Sequence, residues 1–170
     1  MIYAIFQQEK KKIEKQGVVV KMIYDPNIFK DVAYNLSYTS TTILGFYANK
    51  NEVNLPVSLM DFFGHTDHLI GLNCALGELN ASVLLCTLWH ELAHFYQMQC
   101  KVKPSEFCAQ YYMLRKAYQL SKKIKNNDLL IHAIKNTKNW LSLEDNVYVN
   151  AAQELMKTRL WRRAVYGILH

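Results

Sequence analysis

An α+β domain is predicted, with a small antiparallel sheet, one helix that carries the ionisable residues, and a helical C-terminal half. Three observations lead there. Short β-branched or aromatic runs fall at residues 18–24, 41–48 and 52–55. From residue 81 onward, apolar residues recur at three- and four-residue spacing. The interruptions between those helical runs are brief, at 101–104 and 126–128. A chain of 170 residues is expected to form one domain and is long enough to bury a continuous core. Hydrophobic residues make up 51% and charged ones 20%, a balance that argues against disorder.

Taken in order, Ile2, Ile5, Phe6, Glu9 and Ile13 keep helical spacing up to Gly17, which is placed to stop the helix. The run 18–24 is then a strand. Asp25-Pro26-Asn27 makes a turn or helix start, and Ile28, Phe29, Val32, Ala33 and Leu36 give the next helix its apolar stripe. Residues 41–48 and 52–55 flank Asn49-Lys50-Asn51 and read as a hairpin. Residues 56–80, with Gly64, Gly71 and Gly77 and no long periodic run, read as a loop with short helical turns. A helix over 81–100 follows, with Ser82 as its expected N-cap. Ser105 caps the next, which is expected to run to about residue 125. A short helix over 129–135 and a last continuous one over 143–169 complete the chain.

The helix over 81–100 carries His90-Glu91-Leu92-Ala93-His94, an H-E-x-x-H pattern with no Gly or Pro to interrupt it. Each residue turns an α-helix by about 100°, so both imidazoles leave one face toward a common point. This is half of a zinc site. Glu91 lies one position round the helix, where a carboxylate can take a proton from water instead of binding the ion. Two histidines four apart also occur as packing residues on buried helices. The greasy lead-in of Val83, Leu84, Leu85, Leu88 and Trp89 supplies the helical setting that the metal reading requires. The expected chemistry is zinc-dependent hydrolysis of a protein or peptide, with His90 and His94 as ligands and Glu91 as general base.

A catalytic zinc takes three protein ligands. Glu106 is the first choice for the third, because a carboxylate on an antiparallel second helix can reach an ion held by the first. An unbroken first helix would set Glu106 too far from His94 along the axis, so that helix is expected to end near Gln97. Glu144, Glu154 and His132 are the other candidates, and Tyr111 or Tyr112 could serve as oxyanion donors. Cys86 shares the face of His90, as a soft ligand or a small buried residue. His65, Asp67 and His68 could approach the centre from the loop, with a surface position as the default.

No apolar run reaches the roughly 18–20 residues of a membrane span, and the N-terminal Met-Ile-Tyr-Ala-Ile-Phe is too short for a signal core, so a cytoplasmic protein without membrane contact is expected. Four cysteines without C-x-x-C spacing are expected to be reduced. The net charge of +6 is spread over clusters at Lys10, Lys11, Lys12 and Lys15, at Lys116, Lys122, Lys123 and Lys125, and at Arg159, Arg162 and Arg163. Each reads as a solvated helix face or as a contact for nucleic acid.

The run T-L-W-H-E-L-A-H-F-Y-Q from Thr87 to Gln97 resembles the T-L-x-H-E-x-x-H-x-[WY]-Q run of SprT-like proteins, within the compact H-E-x-x-H peptidases called minigluzincins. Glu52-Val53-Asn54-Leu55-Pro56 is similar to the strand that family sets before its active helix, and Lys103-Pro104-Ser105 to a K-P-S just downstream. The resemblance covers about residues 41–113. A third histidine, which SprT-like proteins place soon after the first two, does not occur here before His132. Glu106-Phe107-Cys108-Ala109-Gln110 is similar instead to the E-x-x-A-[ND] element from which ImmA/IrrE-like gluzincins take a glutamate ligand, with Gln110 departing at the last position. The resemblance implies a zincin-like minigluzincin fold, zinc on His90, His94 and Glu106, and peptidase activity. Its SprT-like part implies a DNA-associated protease as one alternative. A zinc-binding regulatory module without proteolysis is the other.

Overall fold

The computed structural model describes residues 1–35, 43–77 and 80–170. Leu36, Thr41 and Thr42, expected in the second helix and the hairpin, lie outside the described residues. The described elements are α1 (Ile2–Glu14), β1 (Val18–Ile23), α2 (Pro26–Asn35), β2 (Gly45–Asn49), a 3-10 turn (Val57–Phe62), β3 (His68–Asn73), α3 (Ala81–Gln99) and α4 (Glu106–Ile124). α5 (Asp128–Asn139), a 3-10 turn (Trp140–Ser142), α6 (Asn146–Met156) and α7 (Arg159–Leu169) follow. The protein is mixed α+β, mostly helical, with a small three-stranded sheet.

The sheet is not the antiparallel hairpin expected. Its order is β1-β3-β2, with β3 parallel to β1 and antiparallel to β2. The central strand is therefore the segment read as a loop. Gly71 obscures the β pattern there, yet it is the residue the strand needs: a Cβ at 71 would lie 2.4 Å from the Phe46 ring of β2. Residues 52–55 do not form a strand, because Asn49 closes a turn first. Its carbonyl accepts Glu52 N–H at 3.0 Å, its side-chain oxygen accepts Asn51 N–H at 3.0 Å, and the Glu52 carboxylate accepts Asn49 N–H at 3.1 Å.

Two apolar layers sandwich the sheet. On one face, Ile23, Phe46, Ala48 and Leu69 pack against Ile28, Phe29 and Val32 of α2 and against Leu59 and Phe63. On the other, Val18, Val20, Ile70 and Leu72 meet α3, whose neighbours are α1, α4 and α5. α3 is buried nearly all round, with Leu84, Leu85, Leu88, Trp89, Leu92 and Phe95 each 4% exposed or less, as befits the central rod of a domain. Its N-cap is Asn80, whose side chain accepts Val83 N–H at 2.9 Å, and not Ser82, which is buried two residues further in.

The helical half follows the expected order with two changes. α5 runs four residues past the expected end at 135. The last stretch is two helices, because Thr158 takes an extended conformation and its hydroxyl accepts Trp161 N–H at 3.2 Å as the N-cap of α7. No described helix is long and apolar enough to cross a membrane.

Candidate metal centre

His90 and His94 stand one turn apart on α3, their ring centroids 5.0 Å from each other. Glu106, the first residue of α4, points its carboxylate between them. Oε2 lies 3.0 Å from His90 Nε2 and Oε1 lies 3.3 Å from His94 Nε2. The three residues offer ligand atoms that all lie within 4.8 Å of one another, and they are the one such group among the described residues.

The objection that α3 must stop near Gln97 is answered by the connection. α3 continues to Gln99, Lys101 takes the left-handed conformation at φ 55°, and Val102 N–H returns to the Gln97 carbonyl at 3.1 Å. The chain then climbs back along α3 instead of starting α4 from below. Gln97 fixes the height: its amide oxygen accepts Ser105 N–H and its amide nitrogen donates to the Ser105 carbonyl, both at 3.1 Å. Ser105 caps α4 by accepting Cys108 N–H at 3.1 Å, and Glu106 enters level with the histidines.

The second nitrogen of each imidazole is also held. His90 Nδ1 is 2.9 Å from Gln110 Oε1, and His94 Nδ1 is 3.0 Å from Gln97 Oε1. The amide nitrogen of Gln110 donates to Asn136 Oδ1 at 2.7 Å and Thr137 Oγ1 at 2.9 Å, which leaves its oxygen to face the ring. Each Nδ1 therefore carries a proton and, in the neutral ring, each Nε2 presents its lone pair to the space shared with Glu106. Two imidazole nitrogens and a carboxylate, with the outer nitrogens tied, are a donor set that suits a divalent cation such as zinc.

The electrostatics agree with that geometry. Burial alone would depress the His94 pKa, but the hydrogen bond and charge of Glu106, with the charge of Glu91, raise it to about 9. Burial pushes the Glu106 carboxyl up, and the two histidines more than reverse this, holding it well below the usual carboxylate range. Glu91 is buried beside them and its carboxylate accepts the backbone N–H of Tyr47 on β2; desolvation dominates and raises its pKa. β2 comes this close because residue 45 is glycine: a Cβ there would be 2.7 Å from Thr87 Cγ2.

The triad and Glu91 open into a cleft of about 280 Å³ bounded by Ile43, Leu44, Met113, Trp140, Leu143 and Tyr148. The Trp140 ring stands edge-on to His90 at 5.6 Å and to Tyr148 at 5.0 Å. His132 lines this cleft without joining the triad, and burial lowers its pKa. Cys86 also lines it, but its thiol is pushed up by burial and points to the Leu129 carbonyl at 3.8 Å. Glu144 and Glu154 are exposed and stand apart from the triad. Tyr111 and Tyr112 pack on Phe107 and Tyr96 and do not line the cleft. His65, Asp67 and His68 belong to a different depression, where His68 Nδ1 meets Tyr47 Oη at 2.8 Å.

Trp140 and Tyr148 were not singled out by sequence reasoning; Gln97 entered it only as a helix end and the last letter of a motif, and Gln110 only as a departure from one. Spacing held the missing signal for the two glutamines: Gln97 follows His94 by three residues and Gln110 follows Glu106 by four, each on its partner's helix face. Compared with models of protein families, with curated proteins and with solved structures, the chain matches none.

Proposed function

We propose that the protein is a metallopeptidase of the zincin-like, minigluzincin kind, with zinc on His90, His94 and Glu106. The observation that carries this reading is the pairing of a closed three-donor cluster with a buried carboxylate on the same helix that is not one of the donors. A divalent cation held by such a set supplies Lewis acidity toward water and toward a carbonyl oxygen. Glu91 takes the proton of the attacking water and delivers it to the leaving amine. Its raised pKa favours the protonated form needed for the second half of that task. Tyr47 N–H orients the carboxylate between the two transfers, and Gln97 and Gln110 keep both rings turned with Nε2 inward. The apolar walls Ile43, Leu44, Met113 and Leu143 exclude bulk water around the peptide.

Glu91→Gln tests the assignment. Peptide hydrolysis is expected to disappear while zinc content stays that of the parent protein. Loss of zinc together with activity would remove Glu91 from the role of base. Bound zinc in the parent protein with no turnover on a broad peptide set would mark a silent metal-binding module instead.

A further inference from the structure

The metal cleft has a polar stripe that the reaction itself does not use. His132, Asn136 and Asn139 follow one another at four- and three-residue spacing on α5, and all three line the cleft. Met113, Leu143 and Trp140 give the same cleft its apolar surface. Among the described residues, the side chains of His132 and Asn139 make no hydrogen bond, and that of Asn136 makes one, through its oxygen.

The direction of the hydrogen bonds behind this stripe decides what Asn136 offers. Thr137 gives its hydroxyl proton to the Ala133 carbonyl at 2.9 Å, so its oxygen accepts from Gln110. Gln110 directs its amide hydrogens to Thr137 Oγ1 and Asn136 Oδ1 and turns its oxygen to His90. Asn136 is thereby held by its oxygen at 2.7 Å, and its Nδ2 keeps two hydrogens to give. That nitrogen is not sealed inside the protein: among the described residues, Ser121 Oγ is the one buried side-chain polar atom without a partner. The open space that Asn136 lines is the cleft, and a donor in a half-buried cleft calls for an acceptor. A single side chain, Gln110, joins Asn136 to His90, which puts its amide within reach of the residue beside a carbonyl held at the metal centre.

We propose, resting on the metallopeptidase reading above, that the cleft selects peptides with glutamine beside the scissile bond. Asn136 Nδ2 donates to the side-chain carbonyl, the Asn139 amide oxygen accepts from the side-chain NH2, and Met113 and Leu143 cover the two methylenes. A carboxamide carries both an acceptor and donors, which makes it the complement of two asparagines. Glutamate fits less well. Among the described residues the cleft is lined by no Lys or Arg, burial and the charge of Lys135 favour neutral His132, and Glu91 and Glu106 are already present, so a further carboxylate meets no counter-ion of its own. Lysine brings only donors to a donor. Leucine or phenylalanine fills the apolar side and leaves Asn136 Nδ2 covered and unpaired.

The test uses the full zinc-loaded chain and two sets of internally quenched peptides, one varied before the bond and one after it, with Gln, Glu, Leu or Phe at that position. In one of the sets, kcat/KM for Gln is expected to exceed that for each of the others by about tenfold. Asn136→Asp keeps the oxygen that Gln110 needs and removes the donor, and should bring the Gln:Leu ratio down to about 1–2. Asn139→Leu, at an exposed position, should lower the ratio by at least about threefold, and it decides the matter if the first variant does not fold. Binding is read separately from turnover by the side-chain amide NMR signals of Asn136 and Asn139, titrated with the N-acetyl methylamides of Gln, Glu and Leu. The Gln derivative is expected to shift both signals at the lowest concentration. Turnover without a Gln preference in either set, an undiminished ratio in Asn136→Asp, or shifts no larger with Gln than with Leu or Glu overturns the proposal and leaves the metallopeptidase reading standing. Gln-selective shifts with no turnover of any peptide uphold the pocket and overturn the metallopeptidase reading instead.

Discussion

Replacing Gln110 by leucine tests whether the outer hydrogen bonds organise the metal centre. The side chain is 1% exposed, so no water can take its place. Its oxygen accepts from His90 Nδ1 at 2.9 Å. Leucine keeps the volume and removes that acceptor, which leaves His90 free to move its proton to Nε2, the atom that faces Glu106. Loss of such an outer partner weakens metal binding about 10–100-fold, or about 1.4–2.7 kcal/mol. Zinc affinity, read by competition with a chromophoric chelator, should fall by that amount while far-UV circular dichroism stays that of the parent. Gln110→Glu restores an acceptor but loses the two amide donations to Asn136 and Thr137. It should recover most of the zinc affinity and still melt below the parent protein. A folded Gln110→Leu variant that holds zinc within about threefold of the parent would refute this account of the histidine geometry.

Three further outcomes are expected. Because His94 is held at about 9 in the metal-free protein, it is protonated at neutral pH and must give up that proton to bind an ion, so zinc titrations at pH 7 in buffers of different ionisation enthalpy should show proton release, and a buffer-independent heat would contradict it. The same shift has a sign for folding: its contribution is fully present below the ordinary histidine pKa and is lost as pH rises through about 9, so the Tm of the metal-free chain should decline over that window while His94→Asn removes the decline. Gly71→Ala drives a methyl group into the Phe46 ring and should cost about 1–3 kcal/mol in denaturant unfolding, with Phe46→Leu relieving part of it in a double-mutant cycle; additive losses would show that the ring is not the obstacle.

What could be read from the chain without coordinates depended on how local each signal was. The H-E-x-x-H helix, the Ser105 cap and the Gly17 stop are each written within a few residues, and all three stand as expected; Gly17 takes φ 85°. Glu106 reached the right place for a reason outside helix geometry: the Gln97 clamp on Ser105 depends on a side chain whose role no periodicity reveals. β3 escaped notice because its identity as a strand is tertiary. His-Leu-Ile-Gly-Leu-Asn has too little alternation to stand out, and only β1 and β2 on either side make it the middle of a sheet. Thr158 was legible in principle, since a threonine just before an apolar helical run is a cap signal, but the surrounding periodicity concealed it.

The two halves of the cleft's chemistry are fastened to the chain at different ranges. All three donor groups sit between positions 90 and 106, on one helical hairpin closed by its own turn. The carboxylate of Glu91 instead takes its orienting N–H from Tyr47, more than forty residues earlier, and that bond exists only once the sheet has docked. The candidate donor set is thus local in sequence, while the acid beside it is aimed from a distant strand. A shift of β2 away from α3 would therefore disturb the aim of Glu91 and leave the three grouped side chains in register with one another.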